Sequence, residues 1–179
     1  MVIWITGLSG AGKTTVCTAL HALLKPSLPE VVMLDGDSVR AAFGHDLGHE
    51  ERDRVLQVRR LQGIAKVLSE QGLVVLVAVL YNNPELLTWN RTHLGNYFEV
   101  FIDAPLALVR ARNPKQLYSK AARGEVRNVV GIDIPWHPPQ HPDLVVDATL
   151  EEAPREMALR IAREVLALRE RLTALRGPA

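Results

Sequence analysis

Cysteine is nearly absent. The 179-residue chain holds one, Cys17, so no disulfide can form within it, and a reducing, cytoplasmic setting is expected. Cys17 follows a glycine-rich loop inside an expected helix and reads as a small buried apolar residue. Net charge is also nearly absent. Lys plus Arg number 21 against 20 Asp plus Glu, a balance of +1 that argues against a general nucleic-acid binder. Aromatic residues make up 5%, and Trp4, Trp89 and Trp136 are expected as core or loop anchors rather than a stacking platform. Long hydrophobic runs are missing. The strongest, Leu73 to Leu80, falls far short of the ~20 residues a membrane-spanning helix needs. The opening MVIWITGLSG has neither a basic leader nor a long apolar segment, so no signal peptide is expected. His45, His49, His137 and His141 lie in two separate loops without helical spacing or cysteine partners, which does not make a zinc site.

What is present is an alternation of short apolar runs with longer amphipathic stretches. Strands are expected at Val2–Thr6, Val31–Leu34, Leu73–Leu80, Tyr97–Asp103 and Asp143–Ala148. Helices are expected from Lys13 to Leu24, Glu51 to Gln71 and Glu152 to Leu175. In the second of these, Val55, Val58, Leu61, Ile64, Ala65 and Leu68 recur at spacings of three and four, and Gly72 ends it. LVVLVAVL is apolar throughout, as a strand covered on both faces would be. The pattern predicts an α/β fold in one domain spanning residues 1–179, a parallel β-sheet flanked by helices on both faces. DIPWHPPQHP, residues 133–142, carries four prolines and should be a stiff extended loop.

GLSGAGKT, residues 7–14, has the pattern G-x-x-x-x-G-K-[ST] between an expected strand and an expected helix. Gly7, Gly10 and Gly12 allow the loop to wrap with its N–H groups turned inward, and the helix start adds partial positive charge. Lys13 supplies a full charge to the β- and γ-phosphates, and the Thr14 hydroxyl suits Mg²⁺. ATP-type binding by Gly7, Leu8, Ser9, Gly10, Ala11, Gly12, Lys13, Thr14 and Thr15 follows.

Asp35 and Asp37 close the second expected strand, on the rim where such sheets bind ligands. Phosphoryl transfer to an alcohol needs one carboxylate near Mg²⁺ and one to ready the hydroxyl; Asp35 and Asp37 suit these roles, although a plain turn capped by Asp37 would look the same. Arg40 is placed to hold an anion on the acceptor, and Arg54 is the best candidate among the arginines of ERDRVLQVRR. The basic stretch after the fourth strand, about residues 112–130, suits a lid over ATP, with Arg112 and Lys115 as nucleotide contacts; a solvated basic helix is the alternative.

Taken in order, GLSGAGKTT, LDGDSVR, DLG at 46–48, DRVLQVRR at 53–60, NPKQLYSKA at 113–121 and GIDIPW at 131–136 resemble the adenylylsulfate kinases. These enzymes phosphorylate the 3′-hydroxyl of adenosine 5′-phosphosulfate. The resemblance covers about residues 2–148 and implies a P-loop kinase fold, ATP, Mg²⁺ and a homodimer. It implies that Asp37 readies the acceptor, that Arg40 and Arg54 hold its anionic end, and that Lys115 belongs to the lid. Phe43, His49, Gln57, Leu80, Val129, Gly131 and Ile132 complete the implied acceptor set. Four positions depart from the family. His49 and Val129 stand where phenylalanines usually sandwich the adenine, and Gln57 replaces an asparagine. Tyr81, in LYNNP, replaces a serine that is phosphorylated in some members. The acceptor is therefore adenosine 5′-phosphosulfate or a nucleotide with a smaller base, such as a cytidine diphosphoramidate, whose edge His49 and Gln57 would reach. A GTPase-like switch would need an N-K-x-D motif, which NPKQ does not supply, and a binding-only module would not need Asp37.

Overall fold

The computed structural model describes residues 1–112, 116–150 and 152–176. Five parallel strands form one sheet in the order β2-β3-β1-β4-β5: β1 (Val2–Thr6), β2 (Val31–Asp35), β3 (Val74–Val79), β4 (Tyr97–Asp103) and β5 (Leu144–Asp147). β1 lies at the centre, with β3 on one side and β4 on the other. All five of its residues are buried, as are all six of β3. An unbroken apolar strand can bury every side chain only if helices cover both sheet faces, and they do. Because β1 sits where the strand order reverses, a crevice opens beyond its carboxyl end.

The helices are α1 (Lys13–Leu24), α2 (Gly36–Ala42), α3 (Glu51–Glu70), α4 (Pro84–His93), α5 (Leu106–Arg112), α6 (Leu117–Ala122) and α7 (Pro154–Arg176). α1 buries Val16, Cys17, Leu20 and Leu24, and α7 packs beside it through Met157, Ala158, Ile161, Ala162 and Val165. α3 buries Val58, Leu61 and Ala65, with Val55, Ile64 and Leu68 packed half-buried against the same core. The helix ends where Gly72 takes φ 88°, a left-handed turn that glycine accommodates. Among the described residues, no helix is long and apolar enough to cross a membrane.

α4 was not expected from periodicity. Its start is nonetheless written locally: the Asn83 side chain accepts from the amide of Leu86 at 2.9 Å, and Pro84 occupies the first turn, where its missing N–H costs nothing. Its buried face is Leu86 and Asn90. The fully buried Gln62 of α3 donates to the Leu86 carbonyl at 2.9 Å and to Asn90 Oδ1 at 2.7 Å, so amides close this helix pair where side-chain hydrocarbon usually does. Residues 133–142 lack helix and strand apart from one bridge at Ile134, in keeping with their prolines. Asn82 donates to the His137 carbonyl at 2.9 Å, and Arg91 donates to that of His141 at 2.6 Å, tying the loop to the segment after β3 and to α4.

Candidate active site

β1 runs directly into the loop from Gly7 to Gly12, which opens α1. Glycine is required at two points. A Cβ at Gly7 would lie 2.6 Å from the Ile102 carbonyl oxygen, and Gly12, at φ 100°, takes a left-handed conformation at the N-cap of α1. Within the loop Leu8 and Ala11 are buried, and the Ala11 amide donates to the Leu8 carbonyl at 3.1 Å. The Lys13 ammonium donates to that same Leu8 carbonyl at 2.8 Å. Burial pulls the Lys13 pKa down to about 8, against the opposing pull of the Asp37 and Asp35 carboxylates. The loop is held from behind as well. Arg112 Nη1 donates to the Gly10 carbonyl at 3.2 Å and its Nη2 to that of Ala148 at 3.1 Å, while the Tyr118 hydroxyl donates to the Ser9 carbonyl at 2.9 Å.

Opposite the loop, Asp35 ends β2 and caps α2. Its Oδ1 accepts from the amides of Asp37 and Ser38 at 3.0 and 3.1 Å, and its Oδ2 accepts from the Thr14 hydroxyl at 3.1 Å. The cap of this turn is therefore Asp35, and the alternative of a cap at Asp37 is set aside. Asp37 stands in the first turn of α2 and lines the cleft. Thr14 and Asp35 offer two hard oxygen donors side by side, the kind of partial shell that Mg²⁺ completes with phosphate oxygens and water. Among the described residues, no three His, Cys, Asp or Glu side chains gather to hold a metal unaided.

The wall of the cleft facing the phosphate loop is built from α2, α3 and the turn at Asn128 that follows α6. Buried Arg40 donates through Nη1 to the Leu47 and Gly48 carbonyls at 2.7 and 2.9 Å. Arg54 donates through Nε to the His49 carbonyl at 2.9 Å and through Nη2 to that of Asn128 at 2.7 Å. Burial, with Arg40 nearby, lowers the Arg54 pKa. Burial, with Arg54 and Arg40 nearby, lowers that of His49 and favours its neutral ring. Gln57 is buried with its Nε2 on the Gly36 carbonyl at 3.1 Å, and its Oε1 accepts from Arg60 at 3.3 Å. Its amide is thus engaged by the protein rather than presented to a base edge.

These groups surround one cleft of about 680 Å³. It brings together Ser9, Gly10, Gly12, Lys13, Thr14 and Thr15 with Asp35, Asp37, Arg40, His49, Arg54, Gln57, Leu80 and Val129. Other expected residues lie elsewhere. Phe43 is exposed beneath the Arg60 guanidinium, 3.9 Å from its ring centre. Gly131 and Ile132 line a separate groove of about 350 Å³ with Leu8, Leu106 and Trp136. Lys115 lies outside the described residues. The cleft also contains Tyr81, which the sequence marked as a departure from the family but not as a cleft residue, and Asn128, which it did not mark at all. Tyr81 lies two residues past the end of β3, so its place on the carboxyl rim of the sheet was a usable signal. Asn128 had none.

A phosphate cradle, a hydroxyl–carboxylate pair on its rim and a second acid facing a basic wall define a P-loop phosphotransferase that uses an alcohol acceptor. Residues 1–147 match the adenylylsulphate kinase family model, and the chain belongs to that family. It is 39% identical to the adenylyl-sulfate kinase of Pseudomonas aeruginosa over 155 residues, 86% of this chain and 79% of that one. It is 40% identical over 162 residues to the bifunctional enzyme NodQ of Rhizobium sp., covering 89% of this chain but only 25% of the relative, so the chain spans about a quarter of that enzyme. Among solved structures, the Mycobacterium tuberculosis APS kinase CysC, in complex with AMPPNP and APS, aligns with a TM-score of 0.82 at 35% identity, covering 94% of this chain and 96% of that one. Shikimate kinase from Aquifex aeolicus shares the fold, with a TM-score of 0.58 at 23% identity over 99% of this chain and 100% of that one. These similarities lend no support to a pyrimidine-nucleotide kinase or to a switch protein.

Proposed function

We propose that the chain transfers the γ-phosphoryl group of ATP to the 3′-hydroxyl of adenosine 5′-phosphosulfate. The observation that carries this reading is the Thr14–Asp35 hydrogen bond, which joins the phosphate loop to the turn bearing Asp37 in a chain of this family. Inward N–H groups of residues 9–15 receive the phosphates. Lys13 exchanges the Leu8 carbonyl for phosphate oxygen, and the incoming negative charge tightens its hold on its proton. Thr14 and Asp35 would hold Mg²⁺, which when bound neutralises charge on the phosphate oxygens. Asp37 orients the 3′-hydroxyl and takes its proton as the new O–P bond forms, while ADP leaves. Arg40 and Arg54 hold the phosphosulfate end. Val129, buried on one wall, and the His49 ring at the mouth enclose the base.

Residues 112–130 act as a lid whose Arg112 and Tyr118 already grip the loop that receives ATP; closing it excludes water. The protein works in the cytoplasm as one domain and pairs as a homodimer. Exposed Leu56 and Val67 share a face of α3 with Arg60, which covers Phe43, and this patch suits the contact. Light scattering checks the dimer. The decisive assay offers purified protein ATP, Mg²⁺ and a panel of sulfated, phosphorylated and phosphoramidated nucleotides. ADP release that depends on adenosine 5′-phosphosulfate is expected, and release only with another acceptor would sink the assignment.

A further inference from the structure

Tyr81 has no part in the steps above, yet it closes the carboxyl end of β3 and lines the cleft. It is 3% exposed, and its hydroxyl donates to Glu51 Oε1 at 2.7 Å. Glu51 opens α3, and Arg54 lies one turn along the same helix. The N-cap residue Glu50 makes no side-chain capping bond, so this end of α3 lacks the usual local fastening. Asp53 accepts from the Gly48 amide at 2.8 Å, a tie to the loop just before the helix and not to the sheet. Longer ties also hold this end, among them Gln57 one turn on, whose Nε2 donates to the Gly36 carbonyl. Glu51 is fastened to the sheet rim through Tyr81, and Arg54 to the turn at Asn128. That turn is itself rigid: Asn128 has φ 63°, and the Asp133 carboxylate accepts from the amides of both Asn128 and Val129.

We infer that Tyr81 is a positioning residue for acceptor recognition: its bond to Glu51 fixes the first turn of α3 and thereby sets the Arg54 guanidinium at the acceptor end of the cleft. The bond runs from a phenol to a carboxylate, so it is charge-assisted and directional. Because the phenol reaches across a whole ring, it links strand to helix, which the shorter serine usual at this position in the family would do less readily. The inference rests on the proposed reading in which Arg54 meets the anionic end of the acceptor.

Tyr81→Phe keeps the buried ring and removes only the donor. The Michaelis constant for adenosine 5′-phosphosulfate should rise about three- to tenfold, with turnover within about twofold and the constant for ATP unchanged. In an Arg54→Ala background the same substitution should add almost nothing, since both act through one group. Equal effects on ATP and acceptor, or a full additional effect on top of Arg54→Ala, would overturn the inference. A second measurement needs no acceptor. Hydrogen–deuterium exchange of the ligand-free protein should quicken over residues 50–56 in Tyr81→Phe and stay unchanged over 7–15; unaltered exchange over 50–56 would overturn the positioning role. If the wild type phosphorylates a different nucleotide, the functional reading fails; the kinetic split is then taken with that nucleotide, while the ligand-free exchange result decides the positioning role unchanged.

Discussion

Asp35 does two jobs with its two oxygens, and a pair of substitutions separates them. Oδ1 accepts two amides of α2 at 3.0 and 3.1 Å, while Oδ2 faces Thr14 at 3.1 Å. Removing an N-cap of this type costs about 1 kcal/mol, up to about 2. In a chain of this size each kcal/mol shifts the melting temperature by about 2–4 °C. Asp35→Ala should therefore melt about 2–8 °C lower. Asparagine caps as well as aspartate. In Asp35→Asn the amide oxygen keeps the cap and the NH₂ can donate to the Thr14 hydroxyl, so the melting temperature should move by less than about 2 °C. The same NH₂ then points a donor, without negative charge, at the position proposed for Mg²⁺. A loss of about 3 kcal/mol in transition-state stabilisation corresponds to about 10²-fold in rate. Scanning calorimetry and steady-state kinetics on both variants provide the test. The reasoning fails if Asp35→Asn melts as low as Asp35→Ala, or if it turns over at the wild-type rate.

Asp37→Ala should lower turnover about 10²–10⁴-fold while ATP still binds by calorimetry, since the acid lies on the acceptor side of the cleft. ATP affinity should fall as pH rises through about 8, where the Lys13 ammonium of the free protein loses its proton. Binding raises that pKa, so affinity is full below 8 and weakens up to about tenfold per pH unit above it, read by titration calorimetry from pH 6.5 to 9.5. Gly7→Ala places a methyl 2.6 Å from the Ile102 carbonyl oxygen and should destabilise the protein by about 1–3 kcal/mol in denaturant unfolding, with nucleotide binding weakened as well.

Elements that carry one clear physical signal were legible in the sequence. β3 announces its two-sided burial because every residue is apolar, and α3 shows its core face through spacings of three and four. α4 hides because its buried contact is an amide pair, Asn90 with Gln62; polar residues on the inner face erase the periodicity that marks a helix. The cradle was legible because its chemistry is local, with glycine, lysine and threonine at fixed offsets. The acceptor wall was less so. Which of Asp35 and Asp37 caps the turn depends on where β2 hands over to α2, a boundary that two aspartates one residue apart leave open. Gln57 looked like a base reader but is spent on Gly36 and Arg60, partners 21 and 3 residues away. Tyr81 and Asn128 acquire meaning only through contacts with α3.

The attachment of Lys13 to the Leu8 carbonyl has an implication for the idle enzyme. A cation hooked onto its own doorway is not waiting in bare space, so each arriving triphosphate must outbid a tenant already in place. The cost of that eviction is common to every anion, so it lowers the grip on all comers, and only a guest with many contacts comes out well ahead.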